Sequence, residues 1–173
     1  HFFPEWRSNL SQEGFTRASF DLQTMSAILD GPQAGLIKEI KSLIDSGAFI
    51  SHHQYELASY RQEVYRWCKQ LADRGYGAIA YPEAGGGCAD LAAYFTVMET
   101  ISYADLSLAI KFGVQFGLWG MSVLVLGTEK HHKKYLKDIG LLKIPGCFAM
   151  TETNHGSNVK GIETTAVYNK IKR

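Results

Sequence analysis

The chain has 173 residues, 46% hydrophobic and 20% charged, with a net charge of +1. That is the composition of a folded globular domain, long enough for a real core, and not of a disordered tail. The near-neutral charge gives no footprint for nucleic acid or an anionic membrane, and Cys68, Cys88 and Cys147, odd in number and without a C-x-x-C, argue against a disulfide framework or structural zinc.

Residues 1–20 mix aromatic and polar side chains with no sustained period and read as an arm on the domain surface. His1-Phe2-Phe3-Pro4 carries no secretory signal and lacks an initiating Met, so the native N-terminus is expected upstream or processed. Asp21 to Leu29 predicts a short helix with Leu22, Met25 and Leu29 on one face. Asp30-Gly31-Pro32 punctuates it, and Pro32 suits the first turn of the next helix. There Leu36, Ile37, Ile40, Leu43 and Ile44 recur at helical spacing, and Ser46-Gly47 ends the run.

The clearest helix spans Gln54 to Arg74, with Leu57, Tyr60, Val64, Trp67, Cys68 and Leu71 as its core stripe and Gly75 as its C-terminal cap. Tyr81-Pro82-Glu83-Ala84-Gly85-Gly86-Gly87 is a loop. Three glycines before a helix can cradle a phosphate, but there is no G-x-G-x-x-G and no Walker lysine. Asp90 at the helix start would repel an anion and reads first as an N-cap.

Leu91, Tyr94, Phe95, Met98 and Ile101 mark a further helix. Asp105 caps another that runs through Phe112 and Phe116. The apolar run Leu106 to Leu126 is long enough to span a bilayer. It contains Lys111 and Gln115 and three glycines, and so reads as a buried helix or two helices end to end. Thr128 caps a basic helix, Glu129 to Lys137, whose Lys130, His131, His132, Lys133 and Lys134 read as a solvated face. The pairs His52-His53 and His131-His132 are adjacent in sequence and diverge by about 100° on a helix, which is not a metal-ligand spacing. Ser157 lies in no G-x-S-x-G elbow.

The last segment changes character. Phe148 to Thr151 predicts a short buried strand, Thr153 to Ser157 a polar loop, and Ile162 to Asn169 a returning strand. On residues alone this is a hairpin, whose strand-end hydroxyls and free N–H groups can also meet a flat cofactor or a phosphate.

Gly146-Cys147-Phe148-Ala149-Met150-Thr151-Glu152, with His155-Gly156-Ser157-Asn158 and Glu163-Thr164-Thr165-Ala166, resembles the flavin-contacting segment of the acyl-CoA dehydrogenase and acyl-CoA oxidase superfamily, the oxidase branch above all. The similarity extends upstream through Tyr81-Pro82-Glu83, Lys111 to Gly120 and Gly127-Thr128-Glu129-Lys130-His131-His132, and covers most of the chain from about Tyr55. The resemblance implies a mostly α fold: an antiparallel helical N-terminal domain with its arm over 1–140, then the first strands of a β-domain over 141–173. It implies FAD as cofactor, held by Phe148, Met150, Thr151, Gly156 and Ser157, with Thr151 bonding the pyrimidine edge of the flavin. It implies an acyl-CoA substrate near Ser157 and Gln115, and the Tyr81–Gly87 loop close to the acyl pocket. The reaction implied is oxidation to the trans-2-enoyl-CoA in fatty acid β-oxidation, with hydride passing to FAD and then to O2. Thr153-Asn154-His155 and Asn158 depart from the dehydrogenase pattern, which bears on the electron acceptor. No carboxylate here matches the family's proton-abstracting base, expected in a C-terminal helical domain beyond these residues, so the 173-residue piece is expected to be inactive alone. The resemblance also implies a homo-oligomer for the full-length chain and an intracellular place, cytoplasmic in a bacterium and peroxisomal in a eukaryote. A helical interaction module without the active site is the alternative.

Overall fold

The computed structural model describes residues 21–50 and 56–171. Six helical segments make up its body: α1 (Leu22–Asp30), α2 (Ala34–Asp45), α3 (Leu57–Asp73), α4 (Leu91–Ser102), α5 (Leu106–Leu126) and α6 (residues 129–140). The expected arm and His52-His53 lie outside the described residues.

The helix starts follow short polar side chains that satisfy the first free N–H groups. Asp21 accepts from Gln23 N and Thr24 N, Asp90 from Ala93 N at 2.7 Å, and Asp105 from Leu108 N at 2.8 Å. Thr128 precedes α6, with His131 Nδ1 reaching back to its N–H at 3.0 Å. Gly75 follows α3 at φ 88°, where its N–H bonds Ala72 O, and serves as the expected terminator.

Helices α2 and α3 pack onto α4 and α5, and α4 turns back into α5 within three residues, as in an antiparallel bundle. The main core holds Ile40, Val64, Trp67, Cys68, Leu71, Tyr94, Val97, Ile101, Leu108, Phe112 and Phe116. Burial pushes the Cys68 thiol up to about 12. A smaller cluster of Ala78, Tyr81, Leu136 and Ile139 sits between α6 and the loop after α3. Not every predicted stripe is buried: α1 has no buried residue, and Leu57, Leu91 and Phe95 are exposed.

Residues 106–126 form one helix, long and apolar enough by composition to cross a bilayer, but Leu108, Phe112, Gln115 and Phe116 are fully buried against the other helices. Its middle, Gly113–Trp119, is π-helical. Such a turn leaves a carbonyl outside the helical ladder. The Tyr81 hydroxyl, fully buried, donates to Phe116 O at 2.8 Å. The glycines admit the crossing side chains: a Cβ on Gly117 would lie 2.3 Å from Tyr94 Oη, and one on Gly120 1.7 Å from Tyr81 Oη. The glycine loop is likewise a packing device. A Cβ on Gly87 would stand 1.9 Å from Ala78 O, and Asp90 occupies the helix end that an anion would need.

The expected strands 148–151 and 162–169 are absent. Among the described residues there is only an isolated bridge between Glu152 and His155, and a 3₁₀ turn at Val159–Gly161. Strand propensity needs a paired edge to act on, and among the described residues no strand lies alongside either stretch.

Candidate functional site

The segment after α6 carries most of the expected cofactor residues, and it is held in place from two sides. On the upstream side, Leu142 turns the chain at φ 54°, and Lys143 N bonds back to Asp138 O at 2.8 Å. Gln115 then reaches across from α5. Its Nε2 donates to Ile144 O at 2.9 Å and to Ile139 O at 3.4 Å, and its Oε1 accepts from Gly146 N at 2.9 Å. Gly146 lies flat against the Trp119 indole, where a Cβ would come within 2.4 Å of the ring.

On the downstream side the anchor is Glu152. Its carboxylate accepts from Glu163 N and Thr164 N, each at 2.8 Å, and from the Thr164 hydroxyl. These bonds, Glu163 N first, hold its carboxyl below the usual range. They close residues 153–162 into a loop. Inside it His155 N bonds Glu152 O, and His155 Nε2 lies 3.3 Å from Glu163 Oε1. Gly161 lets the loop close, since a Cβ there would meet Asn158 and His155.

Between the anchors, residues 147–151 are exposed, with no backbone hydrogen bonds to other described residues. Phe148 and Met150 are each 45% exposed, and the Thr151 hydroxyl bonds no other described residue. Gly156 faces open space and Ser157 is exposed at the loop tip. Two apolar side chains, a free hydroxyl and unpaired backbone form a surface suited to a flat, partly polar ring system, so this segment fits a flavin edge. Gln115 stands apart from the other expected site residues. It is fully buried and its amide is engaged with backbone, which leaves no N–H for an acyl chain. Sequence reasoning missed the clamp made by Glu152, since its partners lie eleven and twelve residues on with no motif to announce them.

The other candidates resolve into structure. Thr128 Oγ1 and His131 Nδ1 are 2.8 Å apart, and His132 Nε2 lies 2.9 Å from Leu124 O. No cluster of three metal-ligating side chains occurs among the described residues.

Residues 47–140, which hold α3 to α6 of this bundle, match the acyl-CoA dehydrogenase N-terminal domain. The chain belongs to the acyl-CoA dehydrogenase family. It is 54% identical over 79 residues to the peroxisomal acyl-coenzyme A oxidase 2 of Arabidopsis thaliana, over 46% of this chain and 11% of that protein. It is 29% identical over 158 residues to acyl-coenzyme A oxidase 2 of Yarrowia lipolytica, over 89% of this chain and 21% of that one. A 3-(aryl)acrylate reductase of Clostridium sporogenes is 37% identical over 99 residues, which cover 57% of this chain and 26% of the reductase. The fold matches an acyl-CoA dehydrogenase from Bacillus anthracis, solved with FAD, at TM-score 0.55 and 23% identity, covering 86% of this chain and 24% of that one. The chain thus spans only a small part of the relatives it matches.

Proposed function

We propose that this chain supplies the helical domain, over 1–140, and the flavin-facing start of the middle domain, over 141–173, of an acyl-CoA-oxidising flavoenzyme of the oxidase type. The observation that carries the reading is the presentation of Thr151. Directly after the family's helical domain, it stands exposed beside the half-exposed Met150, on backbone with no ladder partner among the described residues. What supports the oxidase direction is the stretch of 79 residues that is 54% identical to a peroxisomal acyl-coenzyme A oxidase, against 37% over 99 residues to the reductase.

FAD, when bound, accepts the hydride lost from the acyl thioester and passes the electrons to O2. The residues of this chain bind and orient it. Thr151 donates its hydroxyl to the polar edge of the ring, where negative charge gathers on reduction. Phe148 and Met150 pack on the ring, excluding water. Gly156 leaves room for close backbone approach, and Ser157 donates toward the phosphates of the cofactor and the thioester arm of the acyl-CoA. No carboxylate in residues 1–173 is assigned as the proton-abstracting base. Glu152 and Glu163 serve the loop. The base belongs to another part of the whole enzyme, which acts as a homo-oligomer, in the peroxisome of a eukaryote.

The test is Thr151→Val in the whole flavoprotein. The volume is nearly kept and the hydroxyl is gone. A hydrogen bond to a charged group contributes about 1.5–3 kcal/mol. Its loss from the reduced form lowers a two-electron potential by roughly 30–65 mV, at about 30 mV for each 1.4 kcal/mol. Oxidised FAD should dissociate at nearly the parent rate. A potential and reductive rate both unchanged would refute the assignment.

A further inference from the structure

We propose that Gln115 is a positioning residue, which sets where the segment 146–151 stands and hence where Thr151 meets its ligand. What the segment is for rests on the flavin reading above, whereas the clamp itself does not.

The amide is fully buried, and its three backbone partners define its orientation. Two carbonyls, Ile139 O and Ile144 O, face Nε2, and one N–H, that of Gly146, faces Oε1. A flipped amide would set its oxygen against both carbonyls and its nitrogen against an N–H, so only one orientation satisfies the site. Gln115 belongs to the π-helical stretch Gly113–Trp119, whose last residue, Trp119, forms the flat wall behind Gly146. One distorted turn thus supplies both the bond and the surface that seat the segment.

The geometry of the chain carries this to Thr151. Residues 147–151 have no backbone bonds to other described residues, so they are tethered at their ends, by Gly146 to Gln115 and by Glu152 to Glu163 and Thr164. Five residues fully extended reach roughly 17 Å. A tether that short transmits displacement at one end to every residue in it. Releasing Gly146 moves the upstream hold back to Ile144, whose N–H bonds Asp138 O at 3.3 Å, and lengthens the free span that carries Thr151.

The experiment is hydrogen exchange on the whole flavoprotein, with Gln115→Met and Gly146→Ala. Methionine keeps the core filled and removes all three bonds. Alanine keeps Gln115 and drives the segment off the indole. Both should lower the protection of the amide at residue 146 by tenfold or more, with Leu71 in α3 and Ile101 in α4 unchanged. In the whole flavoprotein, Gln115→Met should also shift the visible flavin spectrum and weaken FAD binding about tenfold. Unchanged protection at Gly146 in the methionine variant overturns the clamp. Protection lost evenly through the bundle overturns it as well, because Gln115 would then be an ordinary core residue. Local release with an unaltered flavin spectrum and affinity overturns the positioning of Thr151 by Gln115, whereas an unchanged potential and reductive rate in Thr151→Val overturns the flavin reading itself.

Discussion

Substituting Gly120 by alanine puts a single methyl group into the tightest crossing of the molecule. The new Cβ would lie 1.7 Å from Tyr81 Oη and 2.6 Å from Cζ. An ordinary carbon–oxygen contact is about 3.4 Å or more, so the phenol would need to retreat by about half that distance. It has nowhere to go: Tyr81 is fully buried among Ala78, Leu136 and Ile139, and the Cβ position of Gly140 is already 3.4 Å from its ring. Three terms follow. Overpacking costs about 1–3 kcal/mol. Breaking the bond from the hydroxyl to Phe116 O, a buried carbonyl, costs about 1–3 kcal/mol. Alanine in place of glycine inside a helix returns about 1 kcal/mol. The net is a loss of about 1–5 kcal/mol, read as a shift of the urea midpoint at constant slope. Tyr81→Phe alone should cost about 1–3 kcal/mol, since only the bond is lost. The double variant should lose less than the sum, because the bond can be broken only once. A Gly120→Ala protein as stable as the parent would refute the close approach of Tyr81 to α5.

Three further outcomes are expected. Trp67, 5% exposed and edge-on to Phe49 and Tyr60 at 6.2 and 6.4 Å, should cost about 3–5 kcal/mol as Trp67→Ala; a urea shift below about 1 kcal/mol would take the stripe of α3 out of the core. Ala89 sits at φ 58°, a region costly for any residue with a Cβ, so Ala89→Gly should gain about 0.5–1 kcal/mol, and a lower melting temperature would show that the strain is absent. The Glu152 carboxyl is depressed by its bonds to Glu163 and Thr164, so its stabilisation is present above the unfolded value, near 4.5, and is lost as pH falls through the lower folded value. Amide protection at Thr164 should therefore hold at neutral pH and disappear in acid, and should be missing at all pH values in Glu152→Gln; protection unaffected by either change would remove Glu152 as the anchor.

The helices were legible because their signals are local. Asp90, Asp105 and Thr128 cap where short polar side chains before an apolar period should cap, and Gly75 terminates α3 through its own backbone freedom. Non-local features were not legible. The glycines of the 106–126 run hinted at a break. What they provide is room for Tyr81 and Tyr94, which approach from elsewhere in the chain. The threonines and valine of 162–169 carry strand propensity, yet a ladder depends on a neighbour that the stretch itself cannot specify. In the site, Thr151 was legible as part of a motif. Gln115 stood out as a polar residue in an apolar run, but its partners, 24 to 31 residues away, were not readable from its surroundings.

The π-helical stretch in α5 also has a consequence for numbering between relatives. A turn closed by i→i+5 bonds contains one residue more than an α-turn, and that residue rotates everything after it by about 100° about the helix axis. Side chains before Gly113 and after Trp119 therefore follow two different helical phases. A relative whose helix ran as uninterrupted α would align with a one-residue gap inside this stretch. Forcing it through without the gap would set Gly120 against a position that points away from Tyr81.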